Sequence, residues 1–177
     1  TAFITWDEGC FEDALVISET ASHRLACPEP VTIGDKLSHR HGAKGVVSQV
    51  LPDADMPALP DGTHVEIICS LTGLPSRLSL GSLREAVMSR VAQARGTHLE
   101  VAPFSSPSED DLRRTLVEAG LPEDGMEQLT LDGEPLDYRS TVGWVYWGCT
   151  VHLAREKLHA AADLEHVAPE KRRLVGP

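Results

Sequence analysis

The sequence predicts a mainly β domain with helices, and three observations carry that class. Val65-Glu66-Ile67-Ile68-Cys69 and the longer run from Val142 to Val151 are rich in β-branched and aromatic residues, with a period of two, as strands require. Between them lie two segments with helix start and stop signals, 82–96 and 108–122.

The first helical segment opens on Ser82-Leu83-Arg84-Glu85, which has the form of a capping box, and places Leu83, Val87 and Val91 on one face before a stop at Gly96. That pattern predicts a helix of about 14 residues. The second opens on Ser108-Glu109-Asp110-Asp111, continues through Leu112, Leu116 and Val117, and stops at Gly120-Leu121-Pro122. Three acids in its first turn suit the positive end of the helix dipole. Residues 97–124 read as an acidic helical excursion from the β domain, solvated in the plain reading and partner-binding in the alternative.

A chain of 177 residues is within the range of one domain and buries roughly 70% of its unfolded surface, so one core suffices. The single domain is expected to take in 1–177, with 163–177 as a solvated tail ending in the charge cluster Glu170-Lys171-Arg172-Arg173. The formal charge of −11 would repel a polyanion if spread evenly. It is concentrated instead: residues 100–137 carry eleven acids against Arg113 and Arg114, and so hold −9 of the −11, while 34–48 are locally basic.

Cys10, Cys27, Cys69 and Cys149 form no C-x-x-C pair and no zinc-ligand spacing, which with the absence of a signal sequence favours reduced thiols and a cytoplasmic location over a disulfide. No apolar run approaches the ~20 residues that span a bilayer. The opening Thr1, with a motif following at once, reads as processing or as a domain within a longer polypeptide.

The most informative stretch is Gly34-Asp35-Lys36 … Arg40-His41-Gly42-Ala43-Lys44-Gly45, where three fixed cations sit among glycines that let backbone approach a ligand. It reads as a phosphate-handling loop. It resembles the GDK…RHG-x-KG signature of the bacterial RNA polymerase β subunit. The likeness continues in order through Asp55-Met56-Pro57, Asp61-Gly62-Thr63 and Gly73-Leu74-Pro75-Ser76-Arg77. Upstream, Ala2-Phe3 … Phe11-Glu12-Asp13-Ala14 … Ile17-Ser18-Glu19 is similar to that family's AF…FEDS…SE segment. Downstream, Gly133-Glu134-Pro135, Thr141 to Tyr146 and Lys157-Leu158-His159-Ala160 are similar to its GEP…TVGYMY…KMHA segment.

The resemblance implies a double-psi β-barrel, one of two that face each other across a polymerase active site. It implies that Lys36 and Lys44 face the growing RNA end and the incoming nucleotide, and that Arg77 reaches the nucleotide phosphates, as a guanidinium binding two oxygens can. Glu12 and Asp13 match the acidic pair near the nucleotide-borne metal, Arg40 belongs to the signature loop, and His159 matches the histidine of the last segment. Here that segment runs on as Ala160-Ala161-Ala162, without the family's arginine and S-T-G. The family's long flap is also missing, since only Thr20 to Ile33 separate Ser18-Glu19 from Gly34-Asp35-Lys36.

Nucleotidyl transfer needs metal ions as well as cations on the phosphates. The Asp-x-Asp-x-Asp cluster that binds magnesium in the β′ barrel does not occur in this sequence, so no metal ligand is assigned here and magnesium is expected on a β′-type partner. The isolated chain is expected not to polymerise. The partners implied are that barrel, nucleoside triphosphates and an RNA–DNA hybrid, with no membrane. The contrasting reading is a non-catalytic barrel serving as a binding or regulatory module. Three other groups read as structural: Trp144, Tyr146 and Trp147 as core, Asp53-Ala54-Asp55 as a loop, and His39 and His41 as framework rather than metal ligands.

Overall fold

The computed structural model describes residues 1–6, 9–74 and 79–157. Among the described residues ten strands run in chain order: β1 Ala2–Ile4, β2 Ala14–Ser18, β3 Lys36–His39, β4 Lys44–Leu51, β5 Ile67–Ser70, β6 Met126–Glu127, β7 Thr130–Leu131, β8 Glu134–Pro135, β9 Ser140–Val142 and β10 Trp147–Cys149. The helices are α1 Glu19–Arg24, α2 Leu80–Arg95, α3 Glu109–Glu118 and α4 Ala154–Lys157. Eight strands form one sheet in the order β10-β3-β4-β2-β5-β1-β9-β6, curled into a half-barrel, and β7 pairs with β8 separately. The mainly β class with helices is therefore the observed one.

Two parallel pairs, β1 with β5 and β2 with β4, sit inside an otherwise antiparallel ladder. Because side chains alternate along a strand, the central strands bury both faces. Phe3, Leu15, Ile17 and Cys69 enter one core with Leu37, Val47 and Trp147, whereas Ala2, Ile4, Val16 and Ile68 enter a second with Met56, Leu129 and Val142. Gly45 permits the β2–β4 contact: a Cβ there would stand 2.6 Å from the Asp13 carbonyl oxygen.

The run from Val142 to Val151 is not one strand. It divides into β9 and β10, which lie at distant places in the sheet, and residues 143–146 cross between them over α2. Gly143 makes the crossing possible, because a Cβ would meet the Ala86 carbonyl oxygen at 2.1 Å. Of the three aromatics expected in the core only Trp147 is buried; Trp144 and Tyr146 are exposed, under Arg90 and Arg40 respectively.

Helix α2 begins at Leu80, earlier than the capping-box reading, so Ser82 lies inside it and donates its hydroxyl to the Ser79 carbonyl. Its end at Gly96, with φ of 61°, is the expected left-handed cap. Helix α3 begins as read, with Ser108 Oγ accepting from the Asp111 amide, but Val117 faces solvent while Leu116 packs on Val87 and Val91 of α2. The acidic excursion thus shares a small core with α2. Between β2 and β3, Ser18 caps the unforeseen α1, and Ser22 and Val31 are joined by two hydrogen bonds, of 2.7 and 3.0 Å.

Candidate functional site

Strands β3 and β4 form a hairpin whose tip is Arg40 to Ala43, with Gly42 at φ of 87°. In its register Lys36 opposes Val46 and Ser38 opposes Lys44, so all four share a face. Lys36 and Lys44 are diagonal neighbours there, with Cα atoms about 7–8 Å apart. Leu37, His39 and Val47 occupy the buried face. Lys44 is exposed, Lys36 half-buried, and neither forms an ion pair with another described residue.

Asp35 is not the partner of Lys36. Its buried carboxylate accepts the Thr32 amide at 2.9 Å and the Ala154 amide at 2.7 Å, pinning the approach to β3 against α4.

The tip is anchored by Glu85 of α2. Arg40 donates to one carboxylate oxygen at 2.6 Å, the Tyr146 amide reaches the same oxygen at 3.3 Å, and His41 Nε2 meets the other at 2.7 Å. Burial on its own would raise the Glu85 carboxyl, but the hydrogen bonds from Arg40, His41 and the Tyr146 amide outweigh it and hold the group below its ordinary 4.5. Arg40 also covers the Tyr146 ring at 5.0 Å.

Under the tip, His39 is buried edge-on against Trp147, with centroids 4.8 Å apart. Its Nδ1 accepts the His41 amide at 3.1 Å, and burial, reinforced by the nearby His41, lowers its pKa from 6.5. The two histidines thus serve as framework in the hairpin. Among the described residues no three His, Cys, Asp or Glu side chains gather to hold a metal ion.

A small cleft of about 50 Å³ is lined by Glu12, Asp13, His39, Lys44, Leu74 and Ser79, among others. Glu12 and Asp13 thereby lie beside the hairpin, Glu12 in a strained turn with φ of 46° and the Asp13 carbonyl accepting from Val46. Leu74 and Ser79 bracket residues 75–78; Arg77 lies outside the described residues, and so does His159. A wider cavity of about 390 Å³ lies elsewhere, lined by Thr20, Asp53 and His64 among others, and neither lysine borders it. Asp53 opens a short 3-10 helix, Asp53–Asp55, where a loop was expected, and its carboxylate accepts from the Thr20 amide and hydroxyl. The residue that sequence reasoning missed is Glu85, whose place three after a serine suggested a cap.

The site is thus a β domain of half-barrel form that presents paired lysines on one face of a hairpin, and comparison with known proteins gives its lineage. Residues 19–164 match the family described as RNA polymerase Rpb2, domain 6. The chain is 42% identical over 138 residues to the DNA-directed RNA polymerase subunit beta of Acetivibrio thermocellus, covering 77% of this chain and 11% of that protein. It is 39% identical over 148 residues to the same subunit of Clostridioides difficile, and 40% identical over 148 residues to that of Chloroflexus aggregans, each covering 81% of this chain and 12% of the relative. The chain belongs to the RNA polymerase β-subunit family, in the region described as domain 6, and it spans little more than a tenth of the length of these curated relatives.

Proposed function

We propose that this chain forms one wall of a nucleotidyl-transfer site in a DNA-directed RNA polymerase, opposite a β′-type barrel. The observation that carries the reading is the pair Lys36 and Lys44, which share one face of one hairpin and are not neutralised by any described side chain. Two ammonium groups on one face can meet the anionic oxygens of an RNA end and of a triphosphate, where they offset charge as it shifts during transfer. Backbone pairing fixes the places from which both lysines reach out, so only their side chains remain to be ordered when substrate binds.

In this reading Lys36 serves the RNA 3′ end, Lys44 the incoming nucleotide, and Arg77 the triphosphate. Glu12, Asp13 and Arg40 line the approach with His159. Arg40 acts from within its pair with Glu85. Magnesium is assigned to the partner barrel, because the Asp-x-Asp-x-Asp cluster implied for it does not occur in this sequence. Nucleoside triphosphates and an RNA–DNA hybrid are the ligands, and the cytoplasm is the setting. Among the described residues no helix is long and apolar enough to cross a membrane.

The test is primer extension by the chain assembled with a β′-type subunit. Lys44→Ala should lower extension by roughly 10²-fold, as loss of one preorganised charge donor does. Undiminished extension would favour the non-catalytic binding module instead.

A further inference from the structure

We propose that Glu85 is a positioning residue for the lysine hairpin: its carboxylate locks the hairpin tip, the first turns of α2 and the 143–146 crossover into one arrangement that aims Lys44. This deepens the function proposed above and rests on it.

Two separate segments converge on this one side chain, which stands on a third. Arg40 and His41 approach from the hairpin tip at 2.6 and 2.7 Å, the Tyr146 amide from the crossover at 3.3 Å, and Glu85 itself stands on the helix. Glu85 is 17% exposed against 65% for Arg40, so the carboxylate is set into the protein and the cation is drawn down onto it. An ordinary surface pair lacks this asymmetry and contributes little.

The tip depends on that hold. Lys44 comes three residues after His41, and the turn that leads to it is closed by the Gly42 amide on the His39 carbonyl at 3.1 Å and by the His41 amide on His39 Nδ1. Without Glu85, Arg40 and His41 would lose their common acceptor, and the tip that leads into Lys44 would lose its tie to α2. A displacement of about 1 Å at such a site costs about 10²-fold in rate. The Arg40 stack on Tyr146 at 5.0 Å and the His41 seat against Gly81 would go with it.

The experiment compares wild type, Glu85→Ala, Glu85→Gln, Lys44→Ala and the Glu85→Ala/Lys44→Ala double variant in the assembled polymerase. It reads kcat and KM for nucleotide, and amide exchange of residues 39–44. Glu85→Ala should lower kcat/KM by about 10- to 100-fold and speed tip exchange by about tenfold or more, and Glu85→Gln, which keeps an acceptor for Arg40 and Tyr146, should restore part of both. In the Lys44→Ala background, Glu85→Ala should cost less than about threefold further, because it acts through the lysine. Fully additive losses, or unchanged tip exchange in Glu85→Gln and Glu85→Ala alike, would overturn the proposal. If Lys44→Ala extends normally, the function proposed above fails, and tip exchange alone decides whether Glu85 holds the hairpin. Should Glu85→Ala not fold, Glu85→Gln in both backgrounds separates the same two outcomes.

Discussion

Gly81 and His41 are so closely apposed that a Cβ on the glycine would stand 2.4 Å from the imidazole Nδ1. The ring cannot yield freely, because its Nε2 is held at 2.7 Å from Glu85. Gly81→Ala is therefore expected to lower stability by about 1–3 kcal/mol, as overpacking does, and to loosen the hairpin tip. Urea unfolding read beside amide exchange of residues 39–44 checks it; wild-type values in both would refute the contact.

Gly143→Ala should be worse, because its Cβ would meet backbone at 2.1 Å rather than a movable ring. Loss of α2 docking, seen as loss of cooperative unfolding, is the expected outcome. Gly42→Ala, with open space around it and φ of 87°, should cost only about 1–2 kcal/mol.

Stability should fall as the medium becomes acid. Burial first, and His41 second, hold His39 below its ordinary 6.5, so the unfolded chain takes up this proton before the folded one does. The contribution of His39 is complete above pH 6.5 and is lost as pH falls through its lowered folded value. Glu85 acts in the same sense at lower pH: its folded value lies below 4.5, so its share is present above 4.5 and disappears below its folded value. Urea midpoints across pH 4 to 8 should decline below about 6.5, and His39→Phe should flatten the first part of that decline. An unchanged slope in His39→Phe would contradict the assignment.

The thiols should react in a fixed order. Burial pushes Cys10 to about 11 and Cys69 to about 12, whereas Cys27 is exposed and all four are free. Cys27 should be modified rapidly at pH 8, with Cys10 and Cys69 protected until the chain unfolds. Mass spectrometry of partly alkylated protein checks the order.

Features with local causes were legible in the sequence. Ser108, Gly96 and Gly120 punctuate helices through their own backbone chemistry, and the structure has them in those roles. Features with distant causes were not. Ser82 and Glu85 have capping-box spacing, but the helix starts a turn sooner and the Glu85 carboxylate goes to residues more than 40 positions away. The alternating run after Val142 satisfies a strand pattern, yet the close approach of Gly143 to α2 breaks it in two. Trp144 and Tyr146 look apolar in sequence, yet they fall on the crossover between β9 and β10 and are exposed, each with an arginine over its ring. The paired lysines followed from the signature, while their shared face needed the hairpin register.

The central claim is that Lys36 and Lys44 line the path of the RNA end and the incoming nucleotide. The most direct measurement is cross-linking in the assembled polymerase with an RNA primer bearing an amine-reactive group on its 3′-terminal nucleotide, the adduct being located by mass spectrometry. Adducts on Lys36 or Lys44, lost in the corresponding alanine variant and suppressed by excess unreactive primer, are the predicted result. A primer that extends in the same assembly but labels only lysines outside the β3–β4 hairpin would contradict it.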